Sequence, residues 1–143
     1  TALQNVLNPR GINVLRCFPV KGYRVWGART MSTDQEWRYI TVRRLAIFLE
    51  QSIARGLQWM VFEPNQEPSW AQVRRSIDEF LTGVWRKGML QGVKPEAAFF
   101  VKCDATTMTQ DDIAQGRLIA LVGIAPLKPA EFIIFKVRLR SCA

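Results

Sequence analysis

The chain has 143 residues, 48% hydrophobic and 22% charged, the composition of one globular domain rather than a disordered, collagen-like or coiled-coil chain. Twenty Lys and Arg against twelve Asp and Glu give a formal charge of +8, and histidine is absent, which removes the commonest general base and metal ligand together. No apolar run approaches the roughly 20 residues needed to span a bilayer.

Residues 1–11 read as a lead-in linker or arm, extended and closed by Asn8-Pro9-Arg10-Gly11. Thr1 in place of a methionine is expected of a processed chain or a piece of a longer one. Residues 12–18 and 23–30 are β-prone runs separated by Pro19 and Gly22. Val42, Leu45, Ala46, Leu49 and Ile53 then recur at the spacing of one helix face, with Thr41 as the expected N-cap and Gly56 as the expected left-handed terminator. Residues 57–62 form a short apolar run that predicts one buried strand. Residues 63–68 hold two prolines and predict a connection.

Ser69 with Gln72 has capping-box spacing and predicts the start of a second helix. Its core stripe is Trp70, Val73, Ile77, Phe80, Leu81 and Val84, and it ends near Gly88. A strand is predicted over 97–103. Thr109 with Asp112 predicts a second cap and one short helical turn closed by Gly116. Residues 117–124 and 131–139 are the last two predicted strands. The order points to an α/β (α+β) fold: a mixed β-sheet covered by two long helices.

Catalytic signatures are missing. There is no P-loop, GxGxxG, GxSxG or HExxH motif. Cys17, Cys103 and Cys142 are far apart, odd in number and without a CxxC pair, so they suggest neither zinc nor a disulfide framework. Asp104, Asp111 and Asp112 do not match a calcium loop; the last two fit as first-turn acids facing a helix dipole. No cofactor and no metal are expected. A hydrolase using Glu63 or Asp104 is the most distant reading.

The +8 itself calls for an anionic partner or a solvated basic face. Trp26, Trp37 and Tyr39 interleave with Arg24, Arg29 and Arg38, which keeps a basic nucleic-acid-binding α/β module as the alternative function. The end of the chain has a different pattern. After Phe132, Ile133, Ile134 and Phe135, the residues alternate, with Val137 and Leu139 on one face and Lys136, Arg138 and Arg140 on the other. Such a strand can pair at a sheet edge of its own subunit or of a neighbour.

Several stretches, in order, resemble one family. They are Val25-Trp26-Gly27-Ala28-Arg29-Thr30, Glu36-Trp37-Arg38-Tyr39 with Val42-Arg43-Arg44, and Val61-Phe62-Glu63-Pro64-Asn65. Lys102-Cys103-Asp104 through Thr109-Gln110-Asp111-Asp112 to Gly116-Arg117 follow, and Gly123-Ile124-Ala125-Pro126 with Lys128-Pro129-Ala130-Glu131-Phe132 complete the set. Together, over about residues 8–137, they are similar to the C-terminal domain of contractile tail sheath proteins.

The resemblance implies a structural, non-enzymatic subunit. Family members stack as hexameric rings around an inner tube and contract to drive that tube through a target envelope. The implied division is a lead-in at 1–11, the sheath C-terminal domain at 12–129 and a C-terminal strand or arm at 130–143. Implied partners are further copies of the chain, linked by arms that add strands to neighbouring sheets, the inner tube, and baseplate and tail-terminator proteins. Neither nucleic acid nor membrane insertion is expected. The implied location is a virion tail or tail-like particle assembled in the bacterial cytoplasm.

The strand-exchange candidates are Phe132, Ile133, Ile134, Phe135, Lys136, Val137, Arg138 and Leu139. The implied tube contact is a helix acting by charge complementarity. Arg74, Arg75, Arg86 and Lys87 lie off the core stripe of the second helix, and Arg43 and Arg44 off that of the first. The second helix is preferred because it is basic at both ends.

Overall fold

The computed structural model describes residues 2–129. Strands β1 (Val14–Phe18) and β2 (Gly22–Trp26) form an antiparallel ribbon, in register from Val14 opposite Trp26 to Phe18 opposite Gly22. At its tip the Lys21 amide donates to the Pro19 carbonyl at 2.8 Å, and Val20 sits at φ 68°. That is a γ-turn with a β-branched residue at its strained centre. The first residues are not extended as expected: α1 (Ala2–Leu7) runs into a 3-10 turn that Gly11 closes at φ 77°.

The second predicted strand stops at Trp26, because Asn13 takes over the pairing. Its side chain donates to the Arg29 carbonyl at 2.8 Å and accepts from the Arg29 amide at 3.0 Å. A Cβ on Gly27 would lie 2.5 Å from Asn13 Oδ1, so this clasp needs glycine there.

Helix α2 (Ile40–Gly56) buries Val42, Ala46 and Leu49, as the periodicity predicts. Its ends differ from expectation. Tyr39 is the N-cap, with no side-chain cap, so Thr41 lies inside the first turn. Gly56 is the last helical residue, and Leu57 closes the helix at φ −101° without a left-handed residue.

The strand predicted over 57–62 is instead a 3-10 turn (Gln58–Met60) followed by a β-turn. Val61 has φ −65° and ψ 124°, Phe62 has φ 74°, and the Glu63 amide donates to the Met60 carbonyl at 3.1 Å. This is type II geometry, in which the third position normally carries glycine. A left-handed backbone costs an L-residue about 1–2 kcal/mol. Val61 and Phe62 are exposed, so the apolar run there does not signal burial.

Helix α3 (Glu67–Arg86) starts two residues before the expected cap. Pro68, in the first turn, needs no amide partner and presets the helical φ, so Ser69 is carried into the helix and buried. The C-terminus is a Schellman motif, since Gly88 has φ 72°, its amide donates to Trp85 O at 2.8 Å, and the Met89 amide donates to Val84 O at 3.3 Å.

After one turn of α4 (Pro95–Ala98) come β3 (Phe99–Lys102), α5 (Gln110–Ala114) and β4 (Leu121–Ile124). The α5 cap is the predicted one: the Asp112 amide donates to Thr109 Oγ1 at 3.1 Å, and the Thr109 amide donates to Asp112 Oδ2 at 2.9 Å.

β3 pairs antiparallel with β4, from Phe99 opposite Ile124 to Lys102 opposite Leu121. The α/β class holds, but the described strands make two separate two-stranded antiparallel sheets where one mixed sheet was expected. The predicted strand over 131–139 lies outside the described residues.

The core is built where α3 meets α2 and the β3–β4 pair. Trp70, Val73, Ile77, Leu81 and Val84 of α3 pack with Leu49, Leu90, Ala98, Phe99, Cys103 and Met108. The β1–β2 ribbon contributes no buried residue to it.

Candidate interaction surfaces

The core stripe of α3 fixes what its other side chains can do. Arg74 is half-buried: it donates to Glu67 Oε1 at 2.8 Å and to the carbonyl of buried Cys103. The hydrogen bond to Glu67 pushes the Arg74 pKa up, and burial pushes the Cys103 thiol up. Arg74 thus clamps the start of α3 to the end of β3. Arg75, Arg86 and Lys87 are exposed and take part in no ion pair among the described residues.

Arg75 and Arg86, eleven residues apart, share one side of the helix, but exposed Glu79 lies between them on that side. The structure therefore separates the four sequence candidates into one internal clamp and three solvent-facing cations. The strand-exchange candidates from Phe132 to Leu139 lie outside the described residues.

On α2 the arginines divide differently. Arg43 lies 5.1 Å over the Trp37 ring. Arg44 and Arg55 share the outward side with Ile40, Ile47 and Phe48, all exposed, while Phe48 also meets Phe80 at 6.3 Å between ring centroids. Ile47 and Phe48 are apolar residues off the core stripe, and that off-stripe position was the available sequence signal for a contact face. Exposed Phe62 left no such signal, because nothing in its neighbours marks a left-handed backbone.

Part of the aromatic–arginine interleave proposed for nucleic acid is engaged in contacts within the chain, while Trp26 stays 45% exposed. Trp26 packs on Phe18 at 4.6 Å between centroids, Arg43 covers Trp37, and Arg29 and Tyr39 bridge through their backbones. Asp104, a hydrolase candidate, accepts from the Thr106 hydroxyl at 2.6 Å and the Thr106 amide at 2.7 Å. Those bonds hold its carboxyl below the ordinary aspartate range, the state of a turn-forming carboxylate rather than a general acid. Glu63 is exposed with no base or nucleophile bonded to it among the described residues. No group of three or more metal-ligating side chains occurs among the described residues.

Comparison with known proteins bears on these surfaces as a set. The family of the phage tail sheath C-terminal domain matches residues 32–140. The tail sheath protein of Vibrio phage KVP40 is 30% identical over 134 residues, 92% of this chain and 19% of that protein. A cryo-EM structure of the anti-feeding prophage baseplate, 6-fold symmetrised, superposes at TM-score 0.90 with 48% identity, over 99% of this chain and 40% of that one. The helical sheath of the same particle in its contracted state gives TM-score 0.86 and 49% identity, over 96% of this chain and 39% of that one. The chain thus spans less than half the length of each of these relatives.

Proposed function

This chain belongs to the phage tail sheath family, as its C-terminal domain, and from that premise we propose that it is the structural unit of a contractile sheath around an inner tube. The observation that carries the proposal is the superposition at TM-score 0.86 over 96% of the chain on a helical sheath in its contracted state. In this reading the subunits stack as rings, hold an extended metastable state and contract to drive the tube through a target envelope. The work is mechanical and needs no catalytic group. The particle is a tail or tail-like assembly built in the bacterial cytoplasm, with the tube, baseplate and terminator proteins as partners.

Two surfaces carry this function. Arg75, Arg86 and Lys87 of α3 are the cations available to an acidic tube, with Arg74 supporting the helix from behind. Exposed ion pairs contribute only about 0.2–1 kcal/mol each, which suits a contact that must release on contraction and is repeated in many copies. Residues 132–139, from Phe132 to Leu139, form the linking arm that adds a strand to a neighbour. A strand added through five or six ladder bonds, at about 0.5–1.5 kcal/mol each, would keep copies joined while they rotate.

Deleting residues 132–143 from the full-length gene product is expected to leave a soluble protein that no longer assembles. Normal tubes from that deletion would refute the arm. Trp26 and Trp37 make contacts within the chain, and a nucleic-acid role would be supported by tight binding whose affinity falls steeply with salt.

A further inference from the structure

Phe62 combines two unfavourable features. Its backbone is left-handed at φ 74°, where an aromatic residue is strained, and its side chain is 102% exposed. Among the described residues, the strain brings it no burial. The turn that holds it is nevertheless anchored: Trp70 Nε1 donates to Asn65 Oδ1 at 2.7 Å, and Asn65 Nδ2 donates to the Arg117 carbonyl at 3.1 Å. The result is a fixed apolar projection at the wall of an open cavity of about 490 Å3, lined by Val61, Phe62 and Glu63 together with Met60, Asn65 and Leu118. Val61 next to it is 60% exposed, and exposed Glu63 follows with no ion pair among the described residues. The projection is therefore apolar with one negative charge that is unpaired among the described residues.

A surface of opposite character lies elsewhere on the same molecule. The outward side of α2 presents Ile47 and Phe48 between Arg44 and Arg55, with Ile40 one turn before Arg44. Glu50, the helix's one acid, lies at the edge of this face, three residues after Ile47 and in line with Arg43 rather than with Arg44 and Arg55. An apolar, acid-flanked projection thus matches an apolar, arginine-flanked helix face.

We infer that the Phe62 turn docks on the outward face of α2 in a second copy of this chain, with Glu63 set against Arg44 or Arg55. Two different patches meeting head to tail form a heterologous contact, the kind that propagates as a ring or helix. A second copy fits better than the tube. These 143 residues carry +8, so an acid set against arginine relieves repulsion where two of these domains meet, whereas a tube engaged through basic residues would repel Glu63. The inference rests on the sheath reading and adds to it a contact between copies that does not involve the terminal arms.

The test uses the full-length gene product, with assembly followed by sedimentation and electron microscopy. Phe62→Gly removes the projection while relieving the backbone, so its melting temperature should stay at or above that of the unmodified protein. Its critical concentration for assembly should nevertheless rise about tenfold. Glu63→Lys should raise that concentration several-fold, and adding Arg44→Glu with Arg55→Glu in the same chain should bring it back toward the original value.

Normal assembly by Phe62→Gly would overturn the inference while leaving the sheath reading intact. So would a triple variant no better than Glu63→Lys alone. A Phe62→Gly sheath that assembles normally but fails to hold the tube would assign the projection to the tube and overturn the second-copy contact. Failure of the unmodified protein to assemble would overturn the inference together with the sheath reading.

Discussion

Helix α3 contains one glycine and is followed by another, and the two should respond to alanine with opposite signs. Gly83 lies inside the helix, and a Cβ built on it meets no atom within 4 Å. Replacing an interior helical glycine with alanine removes backbone freedom from the unfolded chain and gains about 0.5–1 kcal/mol. Gly88 also has free space around its Cβ position, but its φ is 72°. Alanine there incurs about 1–2 kcal/mol of left-handed strain, offset by roughly 0.4–1 kcal/mol of unfolded-state entropy, for a net loss of about 1 kcal/mol.

At roughly 2.1 cal/mol/K per residue, a chain of this length unfolds with an entropy near 0.3 kcal/mol/K, so 1 kcal/mol moves the midpoint by about 3 °C. Gly83→Ala is therefore expected to raise Tm by about 2–3 °C, and Gly88→Ala to lower it by about 3 °C. Differential scanning calorimetry of the two variants beside the unmodified protein measures both shifts. Equal shifts of the same sign would refute the reasoning, since steric space alone cannot separate these positions and only the backbone conformation does.

The basic residues of α3 give a second test. Arg75→Glu, Arg86→Glu and Lys87→Glu together should leave Tm nearly unchanged and weaken co-sedimentation with the inner tube. Arg74→Glu should lower Tm by itself, because it removes the donor to the Cys103 carbonyl and sets a like charge against Glu67. Unchanged tube binding by the triple variant would refute the α3 docking face.

The acid limb of stability should be set in part by Asp104 and Asp112. Hydrogen bonds from the Thr106 and Thr109 hydroxyls, in that order, hold the two carboxyls below the ordinary range. A depressed folded pKa contributes stability that is complete above the unfolded pKa, about 3.9, and is lost as pH falls through the lower folded value. Asp112→Asn should therefore flatten the fall of Tm between about pH 4 and pH 2, as thermal melts across that range would record. A slope identical to that of the unmodified protein would contradict this.

The two long helices were legible because their buried positions repeat with helical period. Val73, Ile77, Leu81 and Val84 announce the buried face of α3 without any help from the rest of the chain. The helix ends were harder. Thr109–Asp112 and Ser69–Gln72 have the same spacing, yet only the first forms a cap, because Pro68 lets α3 begin earlier and places Ser69 inside it.

Residues 57–62 depart from their local pattern for a related reason. An apolar run suggests burial, whereas here Val61 and Phe62 face solvent on a type II turn. Periodicity could not separate Arg74 from Arg75 either, since both lie off the core stripe. Only the folded chain brings the Cys103 carbonyl beside the first of them.

Electron microscopy of the full-length gene product, expressed with its tube protein, tests the central claim most directly. A sheath subunit should appear as stacked rings or as tubes around a narrower inner tube. A uniform population of separate subunits, with no rings or tubes at any concentration, would contradict it.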